Sequence, residues 1–70
     1  ENFMNSPLPG RIENVNCKDG EWVETGDVVL ILESMKMTIS LRAEKRGNIF
    51  CFAEEEEFVP RGKKLFIIED

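Results

Sequence analysis

Histidine is absent from this 70-residue chain. Its absence removes the commonest general base at neutral pH and the commonest metal ligand together. Cysteine is scarce. Cys17 and Cys51 stand far apart and form no Cys-x-x-Cys pair, so a zinc site would lack ligands and no metal site is expected. Each thiol reads as a small buried hydrophobe in a strand. The sequence leaves a disulfide between them open, although nothing else points to an oxidising compartment. No apolar run approaches membrane-spanning length, and the amino end lacks the basic and apolar regions of a signal peptide, so no membrane partner is expected. Positive charge is also in deficit: the net charge of -5 argues against nucleic acid as a partner. Finally, no window sustains a helical period, which leaves strands and turns.

What is present suits one soluble domain, residues 1–70, near the lower size limit for a self-sufficient core. Hydrophobic residues make up 41% and charged ones 33%, the balance of a globular rather than a disordered chain. The start at Glu1 rather than Met reads as a piece of something larger, though processing would leave the same start. Residues 1–35 carry seven acids against Arg11 and Lys18, whereas residues 36–70 carry seven acids and seven bases. The imbalance therefore lies wholly in the first half, where a solvated surface accounts for it.

The two halves repeat each other. At an offset of 36, Trp22 meets Phe58, Val23 meets Val59, Gly26 meets Gly62, Ile31 meets Ile67 and Glu33 meets Glu69. With one residue inserted, Gly10-Arg11-Ile12 answers Gly47-Asn48-Ile49. Each half offers about four short strands, at 2–5, 11–17, 22–23 and 28–33, then at 38–42, 48–53, 58–59 and 65–69. Ile12 and Val15 differ in parity, which predicts a bulge near Glu13-Asn14. Glu24-Thr25-Gly26-Asp27 and Pro60-Arg61-Gly62-Lys63 are matched turns in which glycine supplies positive φ. Trp22 and Phe58, matched across the repeat, read as core. Glu54-Glu55-Glu56-Glu57 reads as a solvated loop, since adjacent carboxylates repel. The expectation is an all-β domain whose halves are related by a pseudo-twofold axis.

Between the halves lies Glu33-Ser34-Met35-Lys36-Met37, with Val28-Val29-Leu30-Ile31-Leu32 before it and Thr38-Ile39-Ser40-Leu41 after it. The change of pattern reads as two strands joined by a tight turn, which would push one amine and two large apolar side chains out together. A lysine in a turn is ordinarily a solvated charge, but methionine seldom flanks it there.

This pentapeptide closely resembles the Glu-Ala-Met-Lys-Met attachment sequence of biotinyl domains, the biotin carboxyl carrier modules of biotin-dependent carboxylases. The resemblance runs from Ser6 to Glu69 through Pro7-Leu8-Pro9-Gly10, Lys18-Asp19-Gly20, Val23, Gly26, Gly47, Val59, Gly62 and Leu65. It implies a flattened β-barrel or sandwich of two four-stranded antiparallel sheets. It further implies that a biotin protein ligase joins biotin to Lys36 as an amide. Met35 and Met37 would help the ligase identify the hairpin, with Glu33 as the acid next to the site. Biotin would then be carboxylated by a biotin carboxylase and unload at a carboxyltransferase, tethering keeping the labile group within reach of both. Such a carrier is not itself an enzyme, and it works inside the cell, in cytoplasm or mitochondrial matrix.

The departures from the pattern are local. Ser34 replaces the usual alanine at a position read as a turn, with little effect expected. Glu56 stands where the family usually has glycine, so that turn is either strained or differently shaped. The interval from Gly10 to Gly20 leaves no room for the thumb insertion of some bacterial and plastid acetyl-CoA carboxylase carriers. A lipoyl carrier shares the fold and the lysine device, but its usual Asp-Lys-Ala argues against it here. Unmodified adaptor domains typically lack the lysine motif, and no nucleophile–base arrangement supports a free-standing enzyme. Copper(I) bound by Met35 and Met37 alone is disfavoured without a nearby Cys or His.

Overall fold

The computed structural model describes residues 3–70; the expected first strand began at Asn2, which lies outside the described residues. Eight strands follow one another: β1 (Phe3–Asn5), β2 (Gly10–Val15), β3 (Trp22–Val23), β4 (Val28–Ser34), β5 (Met37–Arg42), β6 (Gly47–Cys51), β7 (Phe58–Val59) and β8 (Lys64–Glu69). They form two antiparallel sheets, ordered β1-β8-β6-β3 and β5-β4-β2-β7. Exchanging β1–β4 with β5–β8 turns one order into the other, which is the pseudo-twofold relation expected from the repeat. Among the described residues no strand of one sheet pairs with a strand of the other, so of the expected flattened barrel or sandwich of two four-stranded sheets the fold is the sandwich.

The symmetry reaches individual hydrogen bonds. Gly26 N–H donates to Ala43 O as Gly62 N–H donates to Ser6 O, each at 2.8 Å. The Val15 amide donates to Glu55 Oε2, and its counterpart Cys51 donates to Asp19 Oδ1. The bulge expected near Glu13-Asn14 is present: the β2–β4 register slips between Ile12 and Asn14. It lets Ile12 and Val15 both turn towards the core despite their parity.

Inward residues of both sheets, among them Ile12, Leu30, Leu32, Ile49, Leu65 and Phe66, fill the space between them. Trp22 and Phe58 do not join this core; they are 51% and 79% exposed. Their strands are two residues long, and alternation sends one residue of each pair inward. Val23 and Val59 take that place. The cysteines are half-buried against the core rather than fully buried, and Cys17 lies beyond the end of β2 rather than in a strand. Both thiols are free.

β5 leads from the hairpin back to Arg42, and β6 begins shortly after at Gly47, where Asn48 faces Glu69 at the end of β8.

Candidate functional site

β4 and β5 pair down to Ser34↔Met37, so the connection is only Met35-Lys36. Both residues have positive φ, 53° and 66°. That is the two-residue hairpin turn whose twist matches the flanking strands, usually built from Asn-Gly. Here it holds two long side chains, at a cost of about 1–2 kcal/mol for each left-handed residue. The β4–β5 ladder on either side fixes the conformation. Met35 is 81% exposed and Met37 51%, with Lys36 exposed between them. No hydrogen bond or ion pair among the described residues reaches Lys36 Nζ. The amine thus stands in solvent, flanked in sequence by two exposed methionines. A cavity of about 210 Å³ lies elsewhere, lined by Phe3, Met4, Glu44, Lys45 and Phe66–Ile68. Lys36 is exposed on the turn, whereas a Schiff-base nucleophile needs a desolvating pocket.

Ser34 is not a turn residue. It ends β4, is 2% exposed, and donates from Oγ to the Pro9 carbonyl at 2.6 Å. The hydroxyl ties the base of the hairpin to the Pro7-Leu8-Pro9 segment. Gly10, next along, packs so closely that a Cβ there would fall inside contact distance of the Glu33 carbonyl oxygen.

Glu33 lies on the outer face of its sheet, in a cross-strand row with Thr38, Arg11 and Phe58. Arg11 donates from Nη2 (2.8 Å) and Nε (3.3 Å) to the same oxygen, Glu33 Oε1. Its Nη1 donates to Glu56 Oε1 at 3.0 Å. Arg11 is held above its usual pKa, first by the hydrogen bond with Glu33, against partial burial, and then by the Glu56 and Glu33 charges. Glu56 has φ 73°, so the turn keeps the left-handed shape of its counterpart Gly20 (φ 84°) and carries a side chain in spite of the strain. Sequence reasoning did not find Arg11 or this triad. The one signal was Glu56 at a glycine position.

The acidic run is exposed, except for the half-buried Glu57, and it is engaged. Glu55 accepts from Val15 N–H, Glu57 Oε1 from Glu54 N–H, and Glu56 from Arg11. Reading it as a merely solvated loop missed these contacts, because Glu54–Glu57 repeats the hydrogen-bonded turn Lys18–Glu21, in which Lys18 N–H donates to Glu21 Oε1.

The comparisons with known proteins agree with this fold. The sequence profile of the family described as "Biotin-requiring enzyme" matches residues 2–68. The chain is 39% identical over 67 residues to the biotin carboxyl carrier protein of acetyl-CoA carboxylase 2, chloroplastic, of Arabidopsis thaliana, covering 94% of this chain and 26% of that protein. It is 59% identical over 34 residues to the glutaconyl-CoA decarboxylase gamma subunit of Acidaminococcus fermentans, covering 49% of this chain and 23% of the relative. Among solved structures, Kluyveromyces lactis urea carboxylase superposes with TM-score 0.87 at 28% identity, over 97% of this chain and 6% of that one. The chain thus spans about a quarter or less of these relatives. By sequence profile and by fold, the chain belongs to the biotin-requiring enzyme family and is a biotinyl, carboxyl-carrier type of domain within it.

Proposed function

We propose that Lys36 is the residue to which a biotin protein ligase attaches biotin, and that the domain carries carboxyl groups between the biotin carboxylase and carboxyltransferase components of its parent enzyme. That parent is a carboxylase of the ligase class, and the setting is intracellular, cytoplasm or mitochondrial matrix. The observation that carries this reading is Lys36 itself: an exposed amine, without a partner among the described residues, at the tip of a strained two-residue turn and flanked by two exposed methionines. Amide formation needs a neutral amine delivered into the ligase without obstruction, and the tip offers nothing to break first. When bound, biotin supplies a ureido nitrogen that accepts and later releases a carboxyl group.

The chain's own residues present and recognise. The fixed turn sets the direction in which Lys36 leaves the domain, so less conformational freedom is lost on docking. Met35 and Met37 offer flexible, polarisable apolar surface, which can adapt to several partners in turn. Ser34 and Gly10 hold the base of the hairpin against the body of the domain. Lys36 does no chemistry after modification, since its charge and nucleophilicity are lost in the amide.

The test is an intact mass of the chain after incubation with a biotin protein ligase, ATP and biotin, beside Lys36→Ala. One adduct on the wild type and none on the folded variant is the expected result. An adduct surviving in Lys36→Ala would overturn the assignment. So would an unmodified wild type that instead accepts lipoate from a lipoyl ligase.

A further inference from the structure

The pseudo-twofold axis supplies an internal control for the surface around Lys36. In the half that ends at the carboxyl terminus, Asn48 Nδ2 donates to the Gly20 carbonyl at 2.9 Å, a neutral tie from sheet to turn. The equivalent positions beside the hairpin are Arg11 and Glu56, and there the tie is an ion pair. Neither charged residue is needed to build the strand or the turn, because Asn48 and Gly20 build the same ones. Glu56 even holds a left-handed φ that glycine adopts freely. The substitutions occur only at the end that carries Lys36, and through Arg11 they reach Glu33.

The contact has a direction. Both contacts from Arg11 to Glu33 fall on Oε1, and no hydrogen bond among the described residues reaches Oε2. The Glu33 side chain is 45% exposed. Beside it in the cross-strand row, Phe58 presents a ring that is 79% exposed. Phe58 lies two strands from Glu33, roughly 10 Å at 4.8 Å per strand. A partner that takes up Lys36 with a patch of about 800 Å² covers a radius of roughly 16 Å, so it reaches both residues.

We propose that Arg11 and Glu56 are positioning residues: Arg11, held by Glu56, clamps Glu33 Oε1 so that Oε2 faces the biotin protein ligase, where a ligase Arg or Lys pairs with it and Phe58 packs alongside. This rests on Lys36 being the attachment site. A carboxylate already held in place keeps its charge-assisted hydrogen bond strong and its ordering cost low.

Steady-state biotinylation by a biotin protein ligase tests it, with KM and kcat read for the chain as substrate and melting of the unmodified chain in parallel. Arg11→Met should raise KM about 5–10-fold with kcat little changed, and Arg11→Lys should recover part of the loss. Glu56→Gly should raise KM about 2–3-fold while Tm rises by roughly 2–5 °C, since glycine relieves the strained φ. A merely structural role would not move stability and KM in opposite senses. Wild-type KM in both Arg11→Met and Glu56→Gly, in a chain that is otherwise biotinylated at Lys36, would overturn the proposal and leave the attachment reading standing. A wild-type chain that takes no biotin would remove both.

Discussion

At the hairpin end of the domain Gly10 lies against the Glu33 carbonyl; at the terminal end Gly47 lies against the Glu69 carbonyl in the same way. The strand pairs, the tight turns and the amide ties around these glycines match across the axis. What differs is the finish. One end closes through Met35-Lys36, with Ser34 bonded to Pro9 and Arg11 bonded to Glu33. The other ends in the exposed pair Glu69-Asp70, with Lys45 reaching Asp70 only at 4.0 Å. The shared features account for the sandwich, and the unshared ones gather around one amine. Duplicated architecture thus separates what folds the domain from what it presents.

The largest effects should come from the shared glycines. Gly10→Ala and Gly47→Ala each force a Cβ against a carbonyl oxygen, 2.6 Å from Glu69 O in the second case. Overpacking of this kind costs about 1–3 kcal/mol, and Gly47 adds a φ of 153° that alanine rarely takes. Urea unfolding should therefore rank Gly47→Ala below Gly10→Ala and both below wild type. At temperatures where both variants stay folded, Gly10→Ala should be the poorer biotin acceptor, because its displaced neighbour is Glu33. Equal acceptor activity in the two would break the division into a folding part and a presenting part.

A smaller effect separates Ser34 from its counterpart Asp70. Ser34→Ala deletes a buried hydrogen bond and should cost about 1 kcal/mol. Asp70→Ala, on an exposed terminal residue, should stay within about 0.5 kcal/mol of wild type. Equal midpoints for the two variants would show that the Pro9 tie contributes nothing to the hairpin end.

The sequence exposes the repeat, and with it the strand order, because matched turn glycines and a two-residue period survive duplication. The bulge at Glu13-Asn14 was legible for the same reason: Ile12 and Val15 cannot both face inward without it. The hairpin was legible in Met35-Lys36-Met37, although the two-residue turn places Ser34 and Met37 in the strands. Trp22 and Phe58 misled, since matching across the repeat marks equivalent positions and not buried ones. In a two-residue strand the neighbouring valine takes the inward place. Arg11 was invisible for a different reason. Its partners Glu33 and Glu56 lie 22 and 45 residues away, and only the register of β2 on β4 with the fold of the acidic turn brings them together.

At neutral pH the smallest expected effect comes from comparing Cys51 with its counterpart Val15. Both end the central ladders, Val15 opposite Leu30 and Cys51 opposite Phe66, and both amides are bonded to an acidic side chain. Burial pushes the Cys51 thiol up to about 11, helped by the charges of Asp19 and Cys17. In the unfolded chain the same thiol ionises at its ordinary value, lower than in the fold. The unfolded state therefore loses protons first as pH rises. Its share of stability is complete below the unfolded pKa and drains away between there and about pH 11. Cys51→Val places in the second half the residue that the first half already uses and removes this titration. The gap in urea midpoint between Cys51→Val and wild type should widen in favour of valine from neutral pH towards pH 11. A gap that stays constant would mean that water reaches the Cys51 thiol in the folded domain, so that the two ladder ends are less alike in packing than their registers indicate.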